Sequence, residues 1–179
     1  MALTVDETTE RVKAGGEFGE SELQGGDYSD TDLQGANLAE LDLTKTVFEG
    51  ANLTNASLQS ATLIESGCVE ANFTDADFSD ADAESADLTN AIFDGALLQR
   101  ASFSGAVLAG ASFVDADLTD GDFTDADLSA AALNGAELSG ADFTNANLAG
   151  ADLTDANVSD AVFDGANLDG VAGYEADDA

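Results

Sequence analysis

The chain has 179 residues, of which 37 are acidic and 4 are basic, giving a formal net charge of −33. Such a charge disfavours direct binding to nucleic acid or to an anionic membrane surface, and no apolar run approaches the ~18 residues of a membrane helix. Histidine is absent, so the usual general base and the commonest transition-metal ligand are both missing.

Residues 1–15 are predicted to form an N-terminal cap. Thr4 followed by Glu7 matches a capping box, which predicts a short helix over residues 5–13. The apolar residues available to plug the structure that follows are Leu3, Val5 and Val12. The segment has early acidic residues and no apolar core, so it does not resemble a signal peptide. We therefore expect a soluble, cytoplasmic protein.

Residues 16–170 carry an unbroken five-residue repeat. Its large apolar residue, here called the centre, recurs at every fifth position from Phe18 to Leu168 without insertion or deletion. Nearly all centres are Leu or Phe, and they include every Phe of the chain. The exceptions are Tyr28, Cys68, Ala83 and Val158. The residue two before the centre is mostly Ala, and the remaining positions are mostly Asp, Asn, Ser, Thr, Gly or Glu.

A period of five fits neither a helix, which repeats every 3.6 residues, nor a strand, which repeats every 2. It predicts a chain that turns a corner every five residues, with one large and one small side chain pointing inward on each side. Four such sides close a square coil, and stacked coils hydrogen-bond at the strand spacing of ~4.8 Å. Residues one coil apart in sequence would then stack directly.

Segments such as ANLTN, ADLTN, ADFTD and ADFTN resemble the pentapeptide repeat family, whose pattern is written A(D/N)LXX. The resemblance covers residues 16–170. It implies a single-domain, all-β fold: a right-handed quadrilateral β-helix of about 7.75 coils, with mostly type II and type IV turns at its corners. Residues 171–179 would form the C-terminal cap, with Val171 and Tyr174 as plugs and the acidic end as a disordered tail.

The stacking rule predicts two aromatic ladders inside the coil, on different sides. Their members are Phe103, Phe123, Phe143 and Phe163 in one ladder, and Phe73, Phe93 and Phe113 in the other. Cys68 occupies a centre, so we interpret it as a small buried hydrophobe rather than a reactive thiol. The same rule places Arg100 between Asp80 and Asp120, where it would relieve carboxylate repulsion.

Several outward positions of the middle coils are apolar. The candidate contact patch consists of Ile92, Leu97, Val107 and Val114. Exposed apolar residues that cluster mark interaction surfaces, whereas scattered ones are normal. The patch is therefore a hypothesis about where a protein partner would bind.

No catalytic, cofactor-binding or metal site is predicted. Without histidine there is no Ser/His or Cys/His pair, and no phosphate-binding or dinucleotide fingerprint occurs. The segment from Asp75 to Asp80 begins like an EF-hand loop, but Asp80 stands where the turn glycine belongs and Ala86 where the bidentate Glu belongs. We expect loosely condensed cations and no dedicated site.

Two explanations of the charge remain open. The first is adaptation to a salty cytoplasm, where the Debye length falls to ~3 Å at 1 M salt; the chain would then be a non-enzymatic structural or protein-interaction rod. The second is mimicry of DNA, since the repeat carries roughly one net charge per 1.3 Å of axis against ~1.7 Å in B-DNA. Some relatives in the resembling family bind type II topoisomerases such as DNA gyrase and confer quinolone resistance.

The partners expected from the sequence are few. A protein partner is predicted without an identity, type II topoisomerase being the candidate under the second explanation, and the chain would be a monomer or an end-to-end dimer. Those topoisomerase-binding relatives usually have a C-terminal helical module, and some have loops that interrupt the coils. This chain has neither, so no residue is assigned a topoisomerase contact.

Overall fold

The structure is a computed structural model that describes residues 3–174, and it begins with one helix. Helix α1 spans Val5–Lys13 and is closed by the predicted capping box: the Thr4 hydroxyl accepts from the Glu7 N–H, and the Glu7 carboxylate accepts from the Thr4 N–H. No helix among these residues is long and apolar enough to cross a membrane.

The helix covers the first coil with part of the predicted plug. Leu3 and Val12 pack against the core, but Val5 is 39% exposed, so its prediction as a plug residue was wrong. At the N-terminal end of the helix, Leu3 packs against the coil in place of Val5. Its N–H donates to the Glu22 carbonyl, and its carbonyl accepts from the Tyr28 hydroxyl.

The rest of the chain coils upon itself in parallel register. Residues one coil apart form parallel bridges at every fifth position, from Asp27–Val47 to Asp152–Ala172. Because the partner is always 20 residues away, each coil has four sides of five residues. We number the sides in chain order, so that residues 31–35, 36–40, 41–45 and 46–50 lie on sides 1, 2, 3 and 4.

Each corner is a hydrogen-bonded turn with one residue in the left-handed region. At the corner after Leu53, the Ala56 N–H donates to the Leu53 carbonyl at 2.9 Å, and Asn55 has a φ of 57°. The same positive φ recurs at every fifth residue from Gly25 to Gly170. A positive φ at the third position of a turn is the requirement of a type II turn. This requirement explains why glycine, Asn and Asp dominate that position.

The interior is filled by the centres and the small residues two before them. Between Leu23 and Leu153 every centre is buried, and so is nearly every Ala that precedes it by two residues. The second inward residue is small because two facing sides leave no space for further bulk. From Tyr28 to Leu148, each centre N–H and the N–H two residues later donate to the coil above, as at Leu53 and Asn55.

The Phe side chains stack along the axis on two sides of the coil. On side 1, the Phe73–Phe93 and Phe93–Phe113 centroids are 4.9 and 5.0 Å apart, and on side 3 the successive distances from Phe103 to Phe163 are 5.2, 5.0 and 5.2 Å. Phe78 on side 2 packs edge-on against both Phe73 and Phe93. The two ladders also touch edge to face, as between Phe93 and Phe103.

The two ends of the repeat differ from its middle. The segment of residues 16–26, predicted as repeat, makes regular inter-coil bonds only at Gly25 and Gly26, the bridges begin only at Asp27, and Phe18 is only half-buried. Its small inward positions are Gly16, Ser21 and Gly26 rather than Ala, and Glu20 lacks the positive φ of the later corners. The regular ladder therefore has roughly seven coils, fewer than predicted.

At the C-terminal end the interior is less completely covered. Val158, Phe163 and Leu168 are half-buried, and Tyr174 lies with its ring centroid 5.1 Å from that of Phe163. Val171 and Tyr174 both pack against the core. The acidic tail predicted over 175–179 lies outside the described residues.

Replacing Ala130 with glycine should stabilise the coil. Ala130 is exposed and has a φ of 57°, a conformation that costs a non-glycine residue roughly 1–2 kcal/mol, partly offset by the greater freedom of glycine in the unfolded chain. We expect Ala130→Gly to raise the free energy of unfolding in urea by about 0.5–1 kcal/mol. Ala131→Gly is the matched control, because it removes a buried methyl and should lower that free energy by about 1 kcal/mol. Equal effects at both positions would contradict this account.

Candidate interaction surface

Where Asp or Asn precedes a centre, its side chain closes the following corner. One N–H per corner, that of the residue after the centre, points away from both neighbouring coils. At side 3, the Asp142 carboxylate accepts from the Thr144 N–H at 2.8 Å and also from the Thr144 hydroxyl. Asn52 does the same for Thr54. These side chains therefore satisfy a backbone donor that the ladder leaves over.

An amide oxygen serves this purpose as well as a carboxylate does. The cap needs one acceptor oxygen, and Asn and Asp both present it in the same place. The preference for Asp over Asn along most of the rod is consequently a property of the surface and not a requirement of the coil. Hydrogen bonds from the Ser29 hydroxyl and N–H lower the pKa of the Asp27 carboxyl, and Thr154 lowers the pKa of Asp152 in the same way, so both stay ionised.

The negative charge is spread over all four sides. Sorted by the register of the bridges, residues 16–174 place six, nine, nine and seven acidic residues on sides 1 to 4. Two basic residues lie among them. Lys45 is 3.2 Å from Glu65, and Arg100 donates two hydrogen bonds to the Asp80 carboxylate. Asp80 and, more weakly, Asp120 raise the pKa of Arg100, which is therefore paired below and attracted from above.

The four residues of the candidate contact patch do not form one surface. Ile92 and Val114 lie on side 1, Leu97 on side 2 and Val107 on side 4, so the outward side chains diverge around the coil. Val114 is half-buried, and its N–H donates to Asp94. The most exposed member, Leu97, is 45% exposed and stands between Asp77 and Asp117 of the neighbouring coils. The hypothesis of a single patch is therefore wrong.

Reactive groups are few along the rod. The Cys68 thiol is fully buried, and burial raises its pKa to about 12, so it is protonated and shielded. Across residues 3–174 there is no group of three or more Cys, Asp or Glu side chains arranged to hold a metal ion. The EF-hand-like segment has its carboxylates engaged elsewhere: Asp77 accepts from the Ser79 N–H, and Asp80 binds Arg100.

Models of known protein families match the residues that form the ladder. The family model for a pentapeptide repeat region matches residues 96–172, and the model for pentapeptide repeats (8 copies) matches 31–66 and 58–95. The chain belongs to the pentapeptide repeat family. Its fold is the right-handed quadrilateral β-helix of that family, so the fold expected from the resemblance is confirmed. Pentapeptide repeat proteins are generally structural or interaction proteins.

Solved structures of this family resemble the chain over most of its length. HetL of the cyanobacterium Nostoc sp. strain PCC 7120, a pentapeptide repeat protein involved in heterocyst differentiation regulation, is 27% identical, with 96% of this chain and 94% of HetL covered and a TM-score of 0.71. QnrB1, a plasmid-mediated fluoroquinolone resistance protein, is 22% identical over 87% of this chain and 86% of its own, with a TM-score of 0.44. The second likeness concerns the fold alone. No curated protein matches the sequence.

Two features of the structure, one at the surface and one in the core, were missed by sequence reasoning. One is the capping role of the residue before the centre, whose signal was its pairing with Ser or Thr two residues later, as in Asp142–Thr144. The other is the edge-on contact of Phe78 with the side 1 ladder, for which the signal was Ala83, a small centre in the same coil. Phe78 adds a third aromatic contact to that ladder in a coil whose next centre is reduced to a methyl group.

The cap can be tested at Asp142 with two substitutions that remove the same charge. Asp142→Asn keeps the acceptor for the Thr144 N–H, so it should leave the free energy of unfolding unchanged or slightly raised. Asp142→Ala removes the acceptor and should cost about 1 kcal/mol. Urea unfolding of both variants at one salt concentration makes the comparison. If the two variants are equally stable, the carboxylate acts only through its charge.

Proposed function

We propose that this chain is a non-enzymatic rod that binds or spaces other proteins in a cytoplasm of high ionic strength. The observation that carries the proposal is the even distribution of acidic residues over four sides whose corners require only an acceptor oxygen. A chain that needed capping alone would use Asn and Asp without preference. Acidic residues on every face suit a protein that must stay hydrated and dispersed where its own repulsion is screened.

The interior offers no room for chemistry, which supports a role at the surface. Between Leu23 and Leu153 the centres of the described coils are buried, and the stacked rings of sides 1 and 3 fill the axis. What the rod presents is four flat rows of short polar side chains repeating at the coil spacing. HetL, which the chain resembles over nearly its whole length, is described as involved in regulation; a regulatory contact with another protein fits such a surface.

Stability should depend on salt if the charge is an adaptation. We expect the free energy of urea unfolding to rise with KCl, most steeply below about 1 M, where the Debye length changes most. A variant with Asp82, Asp117, Asp127 and Asp152 all replaced by Asn removes one cap-forming charge from each side while keeping the acceptors. Its stability should depend less on KCl than that of the parent.

The contradicting outcome is a free energy of unfolding that is the same in dilute buffer and in molar KCl. A variant that shows the parent's salt dependence unchanged would also count against the proposal, because the removed charges face solvent on all four sides. Circular dichroism at each salt concentration checks that the coil is intact before unfolding begins.

The second candidate function is mimicry of DNA toward a type II topoisomerase. The observation in its favour is the charge density along the axis, roughly one net charge per 1.3 Å against ~1.7 Å for B-DNA. A DNA-binding groove contacts a duplex mainly through phosphates, so an acidic rod of similar charge density competes for the same basic side chains. The equal charging of all four sides gives this candidate no preferred contact face.

A supercoiling assay separates the two functions. Gyrase from the same organism, at native salt, is titrated with the protein. Mimicry predicts inhibition at low micromolar concentration or below, and weaker inhibition by the four-site Asp→Asn variant, because fewer charges face the enzyme. An unchanged supercoiling rate, with the protein folded, eliminates mimicry and leaves the interaction rod.

A further inference from the structure

The first pentapeptide lies off the coil that it should complete. In every later coil, side 2 shares three inter-coil hydrogen bonds with the side below: two are donated by the lower side and one by the upper. By sequence register, residues 16–20 are the side that belongs below residues 36–40, yet none of the three bonds forms. Among residues 3–174, no backbone group pairs with the Asn37 N–H or with the carbonyls of Asn37 and Ala39. On side 3, the Asp42 N–H bonds to the Glu20 carbonyl, whereas the regular register would pair it with the carbonyl of residue 21. The side 2 edge is therefore open, as is that of side 1, where the Asp32 N–H and the carbonyls of Asp32 and Gln34 also lack a backbone partner among the described residues.

Gaps lie on both flanks of the displaced segment. One is lined by Phe18, Glu20 and residues 39–41, the other by Val12, residues 15–17 and residues 35–37. An edge with free donors and acceptors is a template for an extended strand. The strand that best fits this edge is already tethered beside it.

Residues 16–20 carry the pattern of the repeat. Phe18 is in register with the centres Leu38 and Leu58, both fully buried, whereas Phe18 is half-buried. Glycines at positions 15, 16 and 19 leave the segment free to change direction, and Gly15 already has a φ of 65°. In the register of every other coil, the Phe18 N–H would donate to the Asn37 carbonyl, the Asn37 N–H to the carbonyl of residue 16, and the N–H of residue 20 to the carbonyl of residue 39.

Contacts with helix α1 hold the segment away from the edge. The Arg11 guanidinium donates to the Glu22 carboxylate at 2.6 Å and lies over the Phe18 ring, 5.5 Å from its centroid. The same Glu22 oxygen accepts from the Gly19 N–H at 2.9 Å. The Arg11 carbonyl accepts from the Gly16 N–H, also at 2.9 Å. Arg11 of helix α1 thus bonds directly to Gly16 and, through the Glu22 carboxylate, is linked to Gly19, so both ends of the displaced segment are held.

Charge opposes closure at one position. In the docked register Glu20 would stack on Glu40, at the corner position where the described structure elsewhere pairs opposite charges, Lys45 on Glu65 and Arg100 on Asp80. Two carboxylates in that geometry repel, and molar salt screens the repulsion. Salt likewise weakens the half-exposed Arg11–Glu22 pair.

We propose that residues 16–20 are a strap that docks on the side 2 edge at Asn37–Ala39 when ionic strength is high and swings off it when ionic strength falls. The inference rests on the proposed adaptation to a salty cytoplasm and adds a salt-sensitive element at the N-terminal end. Docking buries Phe18 and completes the first coil. Release exposes an unpaired strand edge and the Phe18 ring at that end only.

Amide hydrogen exchange followed by NMR tests the strap. The readout is the protection of the Asn37 N–H divided by that of the Asn72 N–H, which belongs to the middle of the ladder and reports global unfolding. Starting at the lowest KCl concentration that leaves Asn72 protected, the ratio should rise by roughly tenfold or more at about 2 M KCl. Glu20→Lys should give the high ratio already at the low concentration, since an ammonium group stacked on Glu40 reproduces the Lys45–Glu65 arrangement.

Two matched variants make the result decisive. Glu84→Lys makes the same charge change on side 3, far from the strap, and should leave the ratio as in the parent. Phe18→Ala removes the side chain that docking buries and should keep the ratio low at all salt concentrations. The proposal fails if the parent ratio does not change with salt, if Asn37 is already protected at low salt, or if Glu84→Lys matches Glu20→Lys. If the Asn72 protection alone proves independent of salt, the proposed adaptation fails while the strap stands.

Discussion

The corner is the constraint on which this structure depends. A five-residue side must turn through a right angle and still present its backbone to the coils above and below. It can do so only if one residue per side enters the left-handed region, and this positive φ recurs at every corner from Gly25 to Gly170. The remaining features follow from the corner. The inward residue beyond it is small because the sides meet closely there. The residue before the centre is often Asp or Asn because the turn leaves one N–H without a coil partner.

This division of labour explains how so acidic a chain folds. Most of the stabilisation lies in the ladder of backbone hydrogen bonds and in the buried centres, neither of which involves charge. The carboxylates are attached at positions where Asn serves equally well, so the charge was free to be set by the surroundings of the protein. The four exposed sides carry it almost evenly, as the proposed adaptation to salt expects and as a single acidic contact face would not.

The aromatic residues give the middle and C-terminal coils a continuous spine. Stacking within each ladder and edge-to-face contact between the ladders fill the axis with rings, and Phe78 adds a third ring to the coil in which Ala83 is the smallest centre. In the N-terminal coil the aromatic stacking is limited, among the described residues, to Tyr28 on Phe48. There the fold relies on α1 and on the Arg11–Glu22 pair, and it is at this end that the coil stays incomplete.

Sequence determined most of the architecture: the strict period of five indicates a square coil, the family resemblance implies its hand, and residues one coil apart must then stack. The partners of Phe93 and Phe103 in their ladders followed from counting. The sequence did not determine which of the repeats at the N-terminal end join the regular coil. Phe18 has the pattern of a centre, but whether its side joins the coil depends on a competition between the free edge at Asn37 and the clip formed by Arg11 and Glu22. That outcome is set by contacts between residues distant in sequence, and only the tertiary structure decides it.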